Sequence, residues 1–218
     1  MKNLRAAREA LFAHLSREIR DRRVIEAMMR VPREAFVPSD ALHLAYQDIP
    51  LPIGEGQTIS QPYIVAVMTE ALALTGTETV LEVGSGSGYQ SAILAELAAR
   101  IVTVERMAAL AERARRTLER LGYRNITIHP AGSKLGWPDD APYDGIIVTA
   151  AAPRVPQSLL DQLRDGGRLV IPVGSRYDQD LLLITKQGDK TTTVNLGGCR
   201  FVPLIGDDAW SESDLAAY

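Results

Sequence analysis

Between residues 79 and 173 the chain alternates short apolar runs with amphipathic stretches, and that rhythm defines the fold class. The apolar runs at 79–83, 101–104, 126–129, 145–149 and 168–173 have the length and β-branched content of strands. Residues 89–97, 108–121 and 157–163, which separate them, place apolar side chains at helical spacing. Buried strands alternating with helices predict an α/β fold with a mostly parallel sheet covered on both faces. Upstream, Leu11, Leu15, Ile25, Met28 and Met29 recur at helical separations, so 3–29 reads as one or two amphipathic helices, and 63–74 as another. Residues 31–62 carry Pro32, Pro38, Pro50, Pro52 and Pro62 with Gly54 and Gly56, a density of breakers that predicts an irregular segment. Its apolar content (Phe36, Val37, Leu42, Tyr46, Ile49, Leu51, Ile53) argues for order, and a long ordered irregular stretch points to binding. Downstream, Asp165-Gly166-Gly167 reads as a turn. The runs at 181–185, 191–196 and 199–202 have no helix between them, which predicts antiparallel strands at one edge of the sheet.

Composition narrows the setting. A chain of 218 residues, 46% of them hydrophobic, is enough for one globular core with elaborations. The net charge of -3, from 24 basic and 27 acidic side chains, gives no electrostatic drive toward nucleic acid or an anionic membrane. No apolar run approaches the roughly 20 residues that cross a bilayer. The single cysteine, Cys199, cannot form an internal disulfide, and the opening MKNLRAAREALFAHL lacks the apolar core of a signal peptide. The expectation is a cytoplasmic monomer or weak oligomer that binds neither nucleic acid nor membrane. His14, His43 and His129 show no triad signature, and with Cys199 they have no metal-ligand spacing, so no metal is expected.

The candidate chemistry lies where the first predicted strand meets its helix, in Val80-Leu81-Glu82-Val83-Gly84-Ser85-Gly86-Ser87-Gly88-Tyr89. Glycine there permits positive φ and lets a ligand approach the backbone. In open α/β sheets ligands bind beyond the carboxyl ends of the strands. Dinucleotide sites read G-x-G-x-x-G, but here the third glycine comes one position early and Tyr89 stands in its place. The P-loop pattern G-x-x-x-x-G-K-[ST] is absent, which argues against a nucleoside triphosphate. Glu105 ends the next apolar run, 17 residues beyond Gly88, where a carboxylate can accept hydrogen bonds from both ribose hydroxyls. For Glu82 a structural role and direct contact are both open.

The form E-x-G-x-G-x-G resembles the first motif of the Rossmann-like methyltransferases. The flanking segments are more specific. Residues 54–66 (GEGQTISQPYIVA), 31–38 (VPREAFVP), 45–48 (AYQD), 144–153 (DGIIVTAAAP) and 200–204 (RFVPL) resemble the protein-L-isoaspartate O-methyltransferase family over roughly 31–206. The resemblance implies a Rossmann-like S-adenosylmethionine methyltransferase sheet. It divides the 1–218 domain into N-terminal helices with a substrate segment (1–78), a cofactor-binding core (79–175), and C-terminal strands and tail (176–218). It implies methyl transfer from S-adenosyl-L-methionine, leaving S-adenosyl-L-homocysteine, to the free α-carboxylate of L-isoaspartyl residues in damaged proteins and peptides. The ester then cyclises to a succinimide that can hydrolyse to aspartate.

Carried onto this sequence, the resemblance makes Ser60 the active-site residue. It puts Thr58, Ile59, Ser60, Gln61, Glu82, Gly84, Ser85, Gly86, Gly88, Tyr89, Gln90, Glu105, Arg106 and Ser133 near the cofactor. Thr58, Ser60, Thr149, Ala150, Val202, Pro203 and Leu204 match positions near the substrate. One block departs from the family pattern. Where a Gly-Asp-Gly with its acid near the adenine amino group is usual, this chain has Ala131-Gly132-Ser133-Lys134, so backbone groups or Ser133 must face the adenine. A lost acceptor for a buried amino group costs about 1–3 kcal/mol.

The reaction needs no strong base, because a carboxyl with a pKa of roughly 3.3–3.7 is already ionised at neutral pH. The site must align nucleophile, methyl carbon and sulfur and exclude water. The expectation is that the Ser60 hydroxyl orients the carboxylate and Thr58 assists. Substrate peptides are expected to pair backbone to backbone with 200–204 as an edge strand. Two other readings stay open at this level: a methyltransferase with a different acceptor, and a cofactor- and peptide-binding homologue with weakened catalysis.

Overall fold

The computed structural model describes residues 2–216; Met1, Ala217 and Tyr218, the outermost residues of the expected 1–218 domain, lie outside the described residues. Helix α1 (Lys2–Glu18) leads through a tight turn into α2 (Arg22–Arg30), whose first turn is capped by the Asp21 carboxylate accepting from the Arg23 N–H at 3.0 Å. Leu11, Leu15, Val24 and Met28 on these helices are buried against Phe36 and Tyr46. The segment that follows holds two short 3₁₀ turns, Arg33–Phe36 and Ser39–Leu44. It then forms a two-stranded antiparallel ribbon, β1 (Leu51–Gly54) and β2 (Gln57–Ile59). This ribbon was not expected from a proline-rich stretch. Pro52 is accommodated because the two-stranded ribbon leaves an open edge, where the missing N–H costs no ladder bond. Helix α3 (Pro62–Leu72) starts with proline at its first position, and Asp48 Oδ1 accepts from the Tyr63 N–H at 2.8 Å.

The sheet is built from β3 (Thr79–Val83), β4 (Arg100–Glu105), β5 (Ile126–Pro130), β6 (Tyr143–Val148), β7 (Leu163–Gly174), β8 (Gln179–Gln187) and β9 (Lys190–Cys199). Its seven strands lie in the order β5-β4-β3-β6-β7-β8-β9. The first five are parallel and the last two antiparallel, as the run of strands without helices predicted. Helices α4 (Tyr89–Ala95), α5 (Ala108–Arg120) and α6 (Gln157–Asp161) make the crossovers, and a short α7 (Glu212–Ala216) follows β9. Alternate side chains divide between the faces: Leu81, Val83, Val102, Val104 and Val148 pack on one side, while Val80, Ile101 and Ile147 pack with Met68 and Leu94 on the other.

Three expectations need correction. Residues 165–167 are not a turn before a strand but part of β7, where the pairing with β6 slips between Tyr143 and Gly145 and absorbs the extra residues. The expected strand at 199–202 does not form. β9 stops at Cys199, and the chain peels away because the Phe201 N–H is captured by Gln179 Oε1 at 2.8 Å and the Val202 carbonyl by the Ala151 N–H at 2.8 Å. Helices α4 and α6 also stop two residues short of the expected 97 and 163.

Candidate active site

The strand order reverses at β3, which has β4 on one side and β6 on the other, so a crevice opens beyond their carboxyl ends. A cleft of about 300 Å³ occupies that crevice. One wall is the glycine turn after β3, a second the end of β4, a third the segment between β2 and α3, and a fourth the stretch from Gly198 to Ile205.

The glycine turn is shaped by close approach. Gly84, Gly86 and Gly88 all have positive φ (+100°, +50° and +88°). A Cβ on Gly84 would stand 2.4 Å from Thr149 Oγ1, so no other residue fits there without displacing the β6 end. Glu105, 6% exposed, fixes the turn from the neighbouring strand: its Oε2 accepts from the Gly86 N–H at 2.8 Å and its Oε1 from the Met107 N–H at 2.9 Å. Each oxygen keeps a lone pair for a further donor. Ser85 adds a hydroxyl that is buried, lines the cleft and has no hydrogen-bond partner among the described residues.

The opposite wall carries Thr58, Ile59, Ser60 and Gln61. Two clamps hold it. Arg33 Nη2 donates to the Ser60 carbonyl at 2.9 Å, and Gln61 Nε2 donates to Asp48 Oδ2 at 3.0 Å. The Ser60 side-chain hydroxyl makes no hydrogen bond among the described residues. Gln90, also on the cleft, donates to Thr69 Oγ1 at 2.9 Å and so ties α4 to α3.

Most residues singled out from the sequence converge here: Gly84, Ser85, Gly86, Tyr89, Gln90, Glu105, Arg106, Thr149, Ala150, Val202, Pro203 and Leu204 join 58–61 around the cleft. Three do not line it. Glu82 points to the α4 face, where the Ser91 hydroxyl donates to it. Burial pushes its carboxyl up to about 7, against the pull of the Ser91 and Thr103 hydroxyls, and Glu105 adds to the rise. Gly88 serves packing, since a Cβ there would lie 3.2 Å from Ala114 Cβ on α5. Ser133 is exposed outside the cleft, its carbonyl accepting from the Asp207 N–H at 2.9 Å, while Ala131, Gly132, Lys134 and Leu135 line the cleft beside it. The Thr149 hydroxyl faces inward to the turn, donating to the Gly84 carbonyl at 2.6 Å. Arg106 pairs with Glu212 of α7 at 2.6 Å.

Sequence reasoning missed Arg33 and Asp48, which touch the cleft wall only through backbone and amide groups. It also missed Met107, Leu135, Gly198 and Cys199 as lining residues. Met107 was signalled by its place after Glu105; nothing in the sequence marked Arg33 as buried.

An amino-acid tail, a ribose and a purine fit these walls: the orphaned Ser85 hydroxyl and the glycine backbone offer polar contacts, Glu105 offers acceptors for a sugar, and Met107 and Leu135 give an apolar face. The turn also lacks the G-x-x-x-x-G-K-[ST] pattern that cradles a triphosphate. This is the geometry of the Rossmann-like S-adenosylmethionine-dependent methyltransferases. The family model described as protein-L-isoaspartate(D-aspartate) O-methyltransferase matches residues 6–209, and the chain belongs to that family. It is 53% identical over 212 residues to protein-L-isoaspartate O-methyltransferase 1 of Syntrophobacter fumaroxidans, covering 96% of this chain and 99% of the relative. It is 56% identical over 201 residues to the protein-L-isoaspartate O-methyltransferase of Geobacter metallireducens, covering 92% and 93%. A solved protein-L-isoaspartate O-methyltransferase superposes with a TM-score of 0.83 at 32% identity, over 93% of this chain and 67% of that one. A Plasmodium falciparum chain assigned to the same activity, solved in complex with S-adenosyl-L-homocysteine, gives 0.80 at 27% identity, over 92% and 99%.

Proposed function

We propose that this chain transfers the methyl group of S-adenosyl-L-methionine to the free α-carboxylate of L-isoaspartyl residues in damaged proteins and peptides, beginning their return to aspartate. The observation that carries the reading is the placement of the Ser60 wall across the cleft from the Gly84–Gly86 turn and Glu105. When bound, the cofactor supplies an electrophilic methyl carbon that an ionised carboxylate attacks directly, the C–S electrons passing to sulfur. No proton has to move, which suits a cleft without a histidine in its lining. Glu105 takes the ribose hydroxyls, and the Ser85 hydroxyl, which has no internal partner, takes the amino-acid end together with the Ser87 N–H, the other turn amides being bonded within the fold. The Ser60 hydroxyl, without an internal partner, orients the carboxylate, and Thr58 borders it.

The acceptor peptide lies along the segment containing Val202, Pro203 and Leu204. This segment is not an open edge strand: the Ala151 N–H and carbonyl occupy the Val202 carbonyl and Leu204 N–H at 2.8 Å each. The Val202 N–H and Pro203 carbonyl make no bond among the described residues and remain for a substrate backbone. The chain acts as a monomer or weak oligomer in the cytoplasm, without nucleic acid. Its net charge of -3 and lone cysteine support that setting, and no helix among the described residues is long and apolar enough to cross a membrane.

Incubation with labelled cofactor tests the reading: methanol released from base-treated isoaspartyl peptide, and none from the matching aspartyl peptide, is expected. Equal labelling of the two peptides would overturn the choice of acceptor. For Ser60, a Ser60→Ala chain that methylates at the parental rate removes its role.

A further inference from the structure

Arg33 has no exposed surface and forms no ion pair among the described residues. A buried charge without a counter-ion is costly and is kept only where its hydrogen bonds matter. Its guanidinium reaches three backbone carbonyls from different parts of the irregular segment: Ala45 at 2.9 Å, Ile49 at 3.4 Å and Ser60 at 2.9 Å. Its carbon also stands 4.9 Å from the centre of the Tyr89 ring. Tyr89 is the first residue of α4 and lines the cleft beside the glycine turn. One side chain therefore touches both the Ser60 wall and the start of the cofactor-side helix. Two polar atoms at this contact, Arg33 Nη1 and the Tyr89 hydroxyl, are buried with no partner among the described residues except each other.

We propose that Arg33 is a positioning residue for methyl transfer, setting the distance of the Ser60 hydroxyl from the cofactor wall by gripping the Ser60 carbonyl while resting on Tyr89. The inference deepens the reading of Ser60 given above and rests on it. Arg33 touches neither substrate nor cofactor; it acts through Ser60. The carbonyl it holds belongs to the residue before Gln61, where the chain turns into α3, and Asp48 fixes that turn from the other side. With both ends of the Ser60 peptide unit held, the hydroxyl has one place from which to meet a carboxylate. Only arginine presents five N–H groups in a planar fork, so lysine keeps the charge and loses the simultaneous grip on separate carbonyls.

The test compares Arg33→Lys, Ser60→Ala and the double variant in the full chain. It reads kcat and KM on an isoaspartyl peptide, the cofactor Kd by calorimetry, and thermal unfolding. Arg33→Lys is expected to lower kcat about tenfold or more while the cofactor Kd changes by less than about threefold. The loss should vanish in the Ser60→Ala background, the double variant being no slower than Ser60→Ala alone. A parental kcat in Arg33→Lys beside a slow Ser60→Ala overturns the inference alone, as does a fully additive double variant. Parental turnover in Ser60→Ala overturns the Ser60 reading and this inference with it. A fall of kcat, cofactor affinity and melting temperature in step assigns Arg33 a merely structural role and also overturns the proposal. Should Arg33→Lys fail to fold, Arg33→Gln, a shorter and neutral donor that cannot reach the Ser60 carbonyl, carries the same comparison; failure of both to fold counts for the structural role.

Discussion

Thr149 and Gly84 are locked together at the centre of the sheet: the Thr149 hydroxyl donates to the Gly84 carbonyl at 2.6 Å, and a methyl group on Gly84 would meet that same oxygen at 2.4 Å. The contact joins the ends of β3 and β6 and holds the turn open. Gly84→Ala adds this collision to a φ of +100°, and is expected to destabilise the fold by about 2–4 kcal/mol in denaturant unfolding. Adding Thr149→Ala removes the oxygen and should recover part of the loss. Additive destabilisation by the two changes would show that the collision is not the cause.

Glu82 makes stability depend on pH in an unusual direction for a carboxylate. Its ordinary value of 4.5 is raised to about 7 by burial, so the folded chain holds a proton that the unfolded chain releases. The stabilisation is complete below about pH 4.5 and is lost as the pH rises through about 7, a difference on the order of 3 kcal/mol. Glu82→Gln, permanently neutral, should flatten that slope between about pH 5 and 8. Parallel stability curves for parent and variant would contradict the assignment.

Glu105 braces the turn by accepting the Gly86 and Met107 N–H groups while facing the cleft, and the proposed function gives it the ribose as well. Glu105→Ala leaves both donors unsatisfied and removes the acceptors for a ribose. Calorimetry is expected to show cofactor binding weakened about 10–100-fold, the equivalent of about 1–3 kcal/mol. Unchanged affinity would place the sugar elsewhere.

Gly206 props the loop at 131–135 from behind. A Cβ there would lie 2.5 Å from Leu135 Cδ2 and 3.1 Å from the Ser133 carbonyl oxygen. Gly206→Ala should press Leu135 into the cleft and weaken cofactor binding by about 1 kcal/mol, roughly fivefold, with Gly206→Val worse. Tight binding by both variants would show that the loop is not held from this side.

The sheet and its glycine turn were legible because their signals are local: an apolar run, a turn residue with positive φ, then a helix. Glu105 was legible for the same reason, as the last residue of a strand. The ribbon β1–β2 was hidden because Pro50 and Pro52 argue against strands, and only its isolation from the main sheet makes Pro52 tolerable. Arg33 was hidden more deeply. Its sequence neighbours suit a surface arginine, and its partners, Ala45, Ile49 and Ser60, are backbone atoms that any residue supplies. The end of β9 was misplaced because Phe201 and Val202 look like strand residues, whereas a side chain on the adjacent strand, Gln179, decides where the ladder stops.

The loop at 131–136 leans on the turn at 204–210: the Asp207 N–H bonds the Ser133 carbonyl at 2.9 Å, and the Trp210 N–H bonds the Leu204 carbonyl at 3.0 Å. This wall of the cleft is thus braced by chain that follows the sheet's parallel core in sequence. A chain lacking 204–210 would keep the glycine turn and Glu105 but lose the brace that holds Leu135 against the cleft, so this wall of the cleft is completed only by the far end of the fold.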